Sequence, residues 1–308
     1  MCGGMGDFIQ VKESQVHYYR SVPLYCKADS GDFVLYKPKG KRINFTEDAR
    51  TRPPRIYIHK RDSQAAVDEL QTSFNTHLRQ SLTPGGLTKV KTILCDIVSE
   101  AMAKPSENSL SQLPETIDIV FDGYGNNSLI LKQLAESSTV DRSIMDHSIN
   151  TMAITMLYCT HCKLSPDEAR QLALAALLHD IGKTRLDPNI VITNRKLTTK
   201  EFDEYKTHAA IGHDIIKETG SFDFSISRAI LEHHERLDGS GYPRGIAHIG
   251  FEAQLIGLID SYENLTHREK TYRKIKSPFD TLNLIKHEVV TKGAFDKTLF
   301  KDLCTCLA

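Results

Sequence analysis

The sequence lacks an excess of charge of either sign. Its 39 basic residues (Lys and Arg) balance 39 acidic ones, so the formal net charge is zero. Proteins that bind DNA or RNA through the phosphate backbone carry a basic surface, and the composition provides no such excess. We therefore expect neither DNA nor RNA as a partner, while a local basic cluster can still hold a small anion.

Long apolar runs are also missing. No stretch of about 18 consecutive apolar residues occurs, so we expect no membrane span. The first ten residues, MCGGMGDFIQ, have no basic segment followed by an apolar core, which argues against a signal peptide. The seven cysteines are scattered, as is typical of reduced thiols in the cytoplasm, the location we expect. Cys159 and Cys162 have CxxC spacing without a second such pair, and we interpret them as structural.

The order of sequence patterns predicts a mostly α fold. Within the first sixty residues, the runs VHYYRSVPLYCKA, FVLYK and RIYIH are β-branched or aromatic and are separated by turn signals, which predicts strands. From Gln64 onward the apolar residues follow helical spacing. We predict a small β-rich or α+β N-terminal domain, residues 1–125, with strands followed by helices. An all-α helical bundle, residues 126–308, follows the turn cluster DGYGNN.

Capping boxes predict where two helices of this bundle begin. The sequence SPDE starts at Ser165, and TTKE starts at Thr198. The first helix should deliver a His-Asp pair near its C-terminal end. The second should carry one histidine and end near Gly220. Three further helices are predicted over residues 141–161, 225–235 and 253–265.

Histidines and aspartates recur on these five predicted helices, each between apolar residues at helical spacing. A buried ionisable group is costly unless it is paired or bound to metal, so their convergence predicts a metal centre inside the bundle. The candidate metal ligands are His147, His179, Asp180, His208, His233, His234 and Asp260.

Two pairs of adjacent candidates favour more than one metal ion. Neighbouring residues on a helix project about 100° apart, so we expect His233 and His234 to serve different ions. In the pair His179–Asp180, the carboxylate can bridge two ions while the histidine binds one. Two ions about 3.5–4 Å apart can activate water for displacement at phosphorus. The sequence GSGYPRG, residues 239–245 and here called the GYP loop, can approach a phosphate closely.

Taken together, these motifs resemble the HD-GYP phosphodiesterases, a branch of the HD metal-dependent phosphohydrolases. LLHDIGK matches the HD motif, HHERLDGSGYPRG matches the GYP motif, and the resemblance runs from about Asp141 to Arg273. It implies an HD-type bundle with the ligands named above. It also implies hydrolysis of cyclic di-GMP to linear pGpG, with onward cleavage to GMP left open. The implied cofactors are two divalent metal ions, iron first and manganese as the alternative.

The same resemblance assigns residues to the chemistry and to the substrate. Lys183, one turn past His179, is expected near a phosphate or the attacking water, so Asp180 and Lys183 are the candidate catalytic residues. Gly241 and Tyr242 of the GYP loop are expected to touch the substrate. The basic residues expected to hold its phosphates are Arg268, Lys270 and Arg273.

Three positions depart from the family's pattern. Ser143 stands four residues before the first histidine, where some members have a glutamate for a third metal, and this favours two ions. Glu263 replaces an aspartate three residues after Asp260. The segment HREKTYR is one residue longer than usual.

The resemblance further implies cyclic di-GMP as ligand, signalling proteins such as diguanylate cyclases as partners, and a homodimer as one assembly to consider. The N-terminal region resembles a small domain that precedes some HD-GYP modules, and its position suggests a regulatory role. Two other functions stay open. One is an HD phosphohydrolase for another nucleotide, such as a hybrid cyclic dinucleotide. The other is a cyclic di-GMP effector or partner-binding module with little catalysis.

Overall fold

A computed structural model describes residues 5–41, 55–83, 85–137 and 144–308. The contacts divide the chain into two compact units, Met1–His77 and Leu78–Ala308. The division predicted between residues 125 and 126, and the regulatory role of the residues before it, stay predictions. Within the described ranges, no helix is both long enough and apolar enough to span a bilayer.

In the first unit, β-branched and aromatic side chains form a small antiparallel sheet. Among the described residues its strands are β1 (Phe8–Gln10), β2 (Leu24–Lys27), β3 (Phe33–Lys37) and β4 (Ile56–His59), in the order β1-β4-β2-β3. Strand β4 is central and pairs Ile58 with Ile9 and Tyr57 with Tyr25. The sequence VHYY was predicted as strand. Its first three residues instead end the 3-10 helix Glu13–Tyr18, in which Val16 is buried, and β1 was not predicted.

Helices account for most of the described chain, which confirms the mostly α fold behind a small N-terminal sheet. The boundary between the two units falls inside the first helix, α1. The helices are α1 (Ser63–Ser81), α2 (Leu87–Ala103), α3 (Glu107–Leu110), α4 (Leu113–Tyr124), α5 (Ser128–Glu136), α6 (Ile144–Cys162), α7 (Pro166–Leu178), α8 (Pro188–Val191), α9 (Thr199–Lys206), α10 (His208–Thr219), α11 (Phe224–Glu232), α12 (Phe251–His267), α13 (Pro278–His287) and α14 (Lys297–Leu307).

Both predicted capping boxes are present, at the starts of α7 and α9. The helix predicted from Thr198 to near Gly220 is divided, however, because α9 ends at Lys206 and α10 begins at His208. At the break, the Thr207 hydroxyl donates to the carbonyl oxygen of Glu204 at 2.6 Å, so a side chain takes a carbonyl that a continuing helix would use. Gly220, with φ of 65°, ends α10 as predicted.

Two other predicted helices end earlier than expected. Helix α7 stops at Leu178 and α11 stops at Glu232, so the His-Asp and His-His pairs follow the helices instead of lying within them. The segment after α7 continues as a 3-10 helix, Ile181–Arg185. These ends bring polar side chains to a common point, as described below.

Helix α6 forms the centre of the second unit. Its residues from Asp146 to Cys159 are all buried, and it packs against α2, α5, α7 and α12. A helix that is covered on every side has its polar side chains inside the protein, where they need partners. The first turn of α6 carries His147, so the core and the candidate metal centre meet there.

Candidate metal centre

The seven predicted ligands come together where five segments of the second unit meet. His147 lies on the first turn of α6, and Asp260 lies within α12. The others occupy helix ends: His179 and Asp180 after α7, His208 at the start of α10, and His233 and His234 after α11. All are buried except His234, which is nearly so, with a side chain 13% exposed.

One group of ligand atoms consists of His147, His179 and Asp180, which can offer atoms within 4.8 Å of one another. The Nε2 atoms of the two histidines lie 3.1 Å apart. Asp180 Oδ2 lies 3.6 Å from the first and 3.4 Å from the second. Asp260 Oδ1 approaches the same side, 3.0 Å from His147 Nε2.

A second group consists of Asp180, His208, His233 and His234, again within 4.8 Å. Here the other carboxylate oxygen of Asp180, Oδ1, lies 3.5 Å from His208 Nε2. His208 Nε2 lies 3.5 Å from His233 Nε2, and Asp260 Oδ2 lies 3.8 Å from His234 Nδ1. Asp180 therefore faces both groups, with a different oxygen toward each.

His233 and His234 lie side by side, and the expectation that they serve different ions stays a prediction. Their ring centroids are 4.0 Å apart, and both belong to the second group. The expectation assumed a continuing helix, whereas α11 has already ended at Glu232. Asp180, which faces both groups, is the residue whose position favours two ions.

Backbone carbonyl groups fix the orientation of three of the histidines. The Nδ1 atoms of His179, His208 and His233 lie 2.7, 2.6 and 2.6 Å from the carbonyl oxygens of the residues three positions earlier. A carbonyl oxygen can only accept, so each Nδ1 carries the proton and donates. Each Nε2 then presents its lone pair to the cluster, which is the state that binds a metal.

Burial keeps the second group of histidines neutral. It lowers the pKa of His208 to about 4, and with neighbouring histidines it holds the pKa values of His233 and His234 well below the usual range. For His147, burial acts in the same direction, but Glu263 and a hydrogen bond with Asp260 outweigh it and raise the pKa.

Asp180, although buried, has a pKa shift that favours its charged form. Burial alone would raise the pKa of Asp180, but Lys183 and His179 outweigh burial and hold that pKa well below its usual value. The second group thus offers neutral imidazoles beside an ionised carboxylate, Asp180.

Two buried atoms of the cluster show that the residues fit a metal. Among the described residues, Asp180 Oδ1 and His234 Nε2 have no hydrogen-bond partner. Leaving a buried carboxylate oxygen unpaired is costly, and a cation removes that cost. Imidazole nitrogen and carboxylate oxygen are donors for divalent transition metals, so the cluster is a divalent-metal site by its chemistry.

Lys183 lies beside this cluster, and its expected place near a phosphate or the attacking water stays a prediction. It is 5% exposed, its ammonium group contacts Asp180 Oδ2, and it lies 5.0 Å from the centre of the Tyr205 ring. Burial lowers its pKa, but Asp180, Tyr205 and Asp260 together outweigh burial and raise it. Lys183 is therefore a buried cation next to the predicted bridging carboxylate.

The three predicted phosphate-binding residues line one cavity of about 500 Å³. Tyr205 and Asn264 also line it and connect it to the metal centre. The backbone of Tyr205 holds His208, as described above, and Asn264 Nδ2 donates to Asp260 Oδ1 at 2.6 Å. The three predicted phosphate-binding residues on the wall of this cavity are Arg268, Lys270 and Arg273.

Two of these cations are held in place by the backbone. Lys270 Nζ donates to the carbonyl oxygen of Thr193 at 2.8 Å, and Arg273 Nη2 donates to that of Asn264 at 2.7 Å. In the described part of the chain, the buried Nε of Arg273 has no hydrogen-bond partner. The two side chains therefore give this cavity wall a fixed positive charge.

Tyr242 lies on the metal centre and is not among the residues that line this cavity. Its ring stacks on His234 with centroids 4.5 Å apart, and it lies 6.1 Å from the ring of Phe202, which does line the cavity. Gly241 has a packing role. A Cβ atom at this position would lie 2.4 Å from the Cα of Glu235, so only glycine lets the GYP loop lie against the end of α11.

A carboxylate that the sequence analysis did not single out fastens the GYP loop. Glu235 is 2% exposed and accepts hydrogen bonds from the backbone nitrogens of Arg244 at 2.7 Å and Ile246 at 3.1 Å. Nearby, buried Glu232 contacts the Arg244 guanidinium at 2.5 Å. Both glutamates flank the His233–His234 pair in the sequence, and this position could have identified them as residues of the site.

The three departures from the family pattern have different outcomes. Ser143 lies outside the described residues. Glu263 is buried, contacts His147 Nδ1 through Oε2, and accepts from Asn150 Nδ2 through Oε1 at 2.8 Å. The longer segment HREKTYR contains a backbone pairing between Lys270 and Arg273, which turns both toward the cavity described above.

A model of one protein family matches this chain. The model described as "HD domain" matches residues 129–299, which is more than half of the chain. This range includes all seven candidate ligands.

Two curated relatives are similar over part of the chain. A cyclic di-GMP phosphodiesterase of Pseudomonas aeruginosa is 29% identical over 173 residues, covering 56% of this chain and 41% of the relative. A 3'3'-cGAMP-specific phosphodiesterase of Vibrio cholerae is 30% identical over 148 residues, covering 44% of this chain and 32% of the relative. The matched region thus spans less than half the length of these relatives.

A solved structure is similar over almost the whole chain. The HDG"Y"P protein Bd1817 of Bdellovibrio bacteriovorus matches with a TM-score of 0.65, covering 98% of this chain and 99% of its own. The sequence identity is 17%, so this likeness concerns the fold alone.

Proposed function

The chain belongs to the HD domain family, and from this premise we propose that it hydrolyses a phosphodiester bond of cyclic di-GMP at a centre of two divalent metal ions. Water adds to phosphorus, the bond from phosphorus to the 3′-oxygen breaks, and that oxygen leaves with a proton. The product is linear pGpG. The similarity to a cyclic di-GMP phosphodiesterase over 173 residues supports this choice of substrate.

The position of Asp180 is the observation that carries the proposal. One oxygen faces the group that contains His147 and His179, and the other faces the group that contains His208 and His233. A single carboxylate between two sets of histidines is the arrangement expected of a bridging ligand. Asp260 supports it, because its two oxygens also point toward different groups.

Two divalent ions in such a centre supply an acidified water as nucleophile and positive charge for the oxygens of the reacting phosphate. The chain's own residues orient the reactants. Asp180 holds the two ligand groups together, and Lys183, protonated and buried beside it, is the cation available to the scissile phosphate. Arg268, Lys270 and Arg273 bind the second phosphate along the cavity. Tyr242 and Gly241 shape the edge of the site on the His234 side.

The donor set favours iron or manganese as the working ion. Five histidines and two aspartates, without thiolate, suit iron, manganese and zinc alike. A dinuclear centre with a bridging group and an open water position needs five or six ligands at each ion, whereas zinc most readily accepts four. We therefore expect the iron and manganese forms to turn over substrate faster than the zinc form.

The test is turnover by purified protein loaded with Fe²⁺ without oxygen, or with Mn²⁺ or Zn²⁺, at matched occupancy. We expect about two ions per chain by elemental analysis and pGpG by chromatography. Asp180→Ala should fold but lose both ions and at least about 1,000-fold in rate, because the remaining ligands cannot hold two cations against their repulsion. Asp214→Ala, at an exposed aspartate of α10, is the matched control and should keep both ions and the rate.

Three results would contradict this proposal in different ways. Full metal content in Asp180→Ala would remove the bridging role. Faster turnover of 3'3'-cGAMP than of cyclic di-GMP would favour the second candidate, a hybrid cyclic dinucleotide, which the Vibrio cholerae relative supports. Binding of cyclic di-GMP without turnover in any metal form would instead indicate an effector.

A further inference from the structure

We propose that Lys91, on a helix that precedes the segment matched to the HD domain, positions the metal ligand His147 through a buried chain of hydrogen bonds. The inference rests on the proposed metal centre, although it concerns how that centre is held and not what it hydrolyses. The chain runs from Lys91 through Asn150 and Glu263 to His147. Its members are 1%, 4%, 1% and 1% exposed, respectively.

The first link joins α2 to α6. Lys91 Nζ donates to Asn150 Oδ1 at 2.6 Å. The same ammonium group donates to the carbonyl oxygens of Leu134, at 3.3 Å, and Ser137, at the end of α5. Three acceptors saturate an ammonium group, so Lys91 is fully paired and its position is defined.

The ammonium group also decides which way the Asn150 amide points. An ammonium has only donors, so it must meet the amide oxygen, and the amide NH2 must then face the opposite side. On that side, Asn150 Nδ2 donates to Glu263 Oε1 at 2.8 Å. The orientation of the amide is thus imposed by Lys91 and passed to Glu263.

The last link reaches the metal ligand. Glu263 uses its second oxygen, Oε2, to contact His147 Nδ1. A carboxylate can only accept here, so Nδ1 carries a proton, and Nε2, which faces His179, Asp180 and Asp260, is the nitrogen left to bind a metal. A carboxylate behind a ligating histidine fixes its ring and its tautomer and strengthens it as a donor.

His147 needs this support more than the other histidines. The Nδ1 atoms of His179, His208 and His233 are held by carbonyl groups in their own turn of chain, three residues earlier. His147 lies on the first turn of α6, and its Nδ1 contacts a carboxylate of α12 instead of a carbonyl group three residues earlier. Its geometry therefore depends on the packing of α2, α6 and α12 together.

The experiment measures Mn²⁺ affinity, with free ion counted by electron paramagnetic resonance, in the full chain. We expect two binding steps. Lys91→Met keeps the length of the side chain but removes its donors, and it should weaken one step by about 10- to 100-fold. The step that belongs to His208, His233 and His234 should change by less than about threefold.

A double-mutant cycle tests whether Lys91 and Glu263 act through one chain. Glu263→Gln should weaken the same Mn²⁺-binding step. The double variant should bind Mn²⁺ at that step no more weakly than the weaker-binding single variant, because either substitution alone already interrupts the chain of hydrogen bonds. Lys132→Met is the matched control. Its ammonium group donates to the carbonyl oxygen of Leu307 at 2.7 Å, and its loss should leave both steps unchanged.

A lower melting temperature for Lys91→Met with unchanged Mn²⁺ affinity would overturn the proposal, since Lys91 would then only hold the end of α5. Additive effects in the cycle would overturn it as well. If Lys91→Met does not fold, Asn150→Leu cuts the chain at its middle while Lys91 keeps its two carbonyl acceptors, and the same loss of one step is expected. Metal affinity is read without substrate, so the result is independent of whether cyclic di-GMP is hydrolysed.

Discussion

Tyr242 is the residue at which the GYP loop meets the metal centre. Its ring lies against His234, and burial raises its pKa well above the usual value, so the hydroxyl stays protonated at any ordinary pH. A protonated phenol is a poor metal ligand but a good hydrogen-bond donor. Its place on the cluster, with its hydroxyl intact, favours a role toward substrate.

Replacement of Tyr242 by phenylalanine tests that role. Metal content should stay at the wild-type value, while KM for cyclic di-GMP rises roughly fivefold to tenfold, the cost of one hydrogen bond of about 1 kcal/mol. His234→Ala, at the residue beneath the ring, should instead lose metal. Loss of metal from Tyr242→Phe, by elemental analysis, would mean that the phenol is a ligand after all.

The identities of the seven candidate ligands could be predicted because each carries its own signal, a polar side chain between apolar neighbours at helical spacing. Asn150 and Lys91 could not be predicted in this way. An asparagine or a lysine in an apolar helix is ordinary, and its partner is set by how helices pack. Glu263 was noted as a departure, but its contact with His147 appears only in three dimensions.

Among the elements, α12 lies unusually close to the end of α11. A Cβ atom at Gly257 would be 2.0 Å from the carbonyl oxygen of His233, a distance that no side chain can occupy. The missing side chain lets α12 bring Asp260, one turn later, to the histidines. The glycine therefore sets the spacing between two ligand-bearing elements.

Gly257→Ala should push α12 away from His233. We expect a loss of at least about 1–3 kcal/mol in the free energy of unfolding, the usual cost of overpacking, together with weaker binding of both ions. Urea unfolding and Mn²⁺ titration measure the two effects. Gly6→Ala is the control, because Gly6 has open space around it and should tolerate a methyl group. A stable variant with unchanged metal affinity would contradict this account.

The starts of the helices could be predicted from the sequence more accurately than their ends. Capping boxes mark where α7 and α9 begin because side chain and backbone pair locally. The ends at Leu178 and Glu232 have no such signal, since the residues that follow are held by contacts distant in the chain. The break at Thr207 has a local cause, the hydrogen bond from its hydroxyl to the carbonyl oxygen of Glu204, but a threonine within a helical pattern does not announce it.

For the whole molecule, the centre joins residues that are far apart in sequence, from His147 to Asp260. Metal ions that bind only the folded chain add their binding free energy to its stability. The apolar core around α6 lies directly behind this site, so the second unit should gain stability when the ions bind.

Removal of metal should lower the melting temperature of this protein. At 100 times its dissociation constant, an ion contributes about 2.7 kcal/mol. For a unit of this size that corresponds to roughly 5–10 °C. Differential scanning calorimetry with EDTA or Mn²⁺ measures the shift, and Asp180→Ala should show almost none. Equal shifts in the variant and the wild type would place the stabilising ion elsewhere.

The hydrogen bonds that Glu235 accepts from the GYP loop and from Ile246 bear on how tightly this protein keeps its metal ions. Glu235 directly follows His233 and His234, and its carboxylate holds the backbone on the far side of the GYP loop. One short segment thus carries two candidate metal ligands and also holds the GYP loop. If the ions strengthen the binding of cyclic di-GMP through this segment, then cyclic di-GMP strengthens the binding of the ions by the same factor. We therefore expect that, at equilibrium, less metal is lost to a chelator when cyclic di-GMP is present.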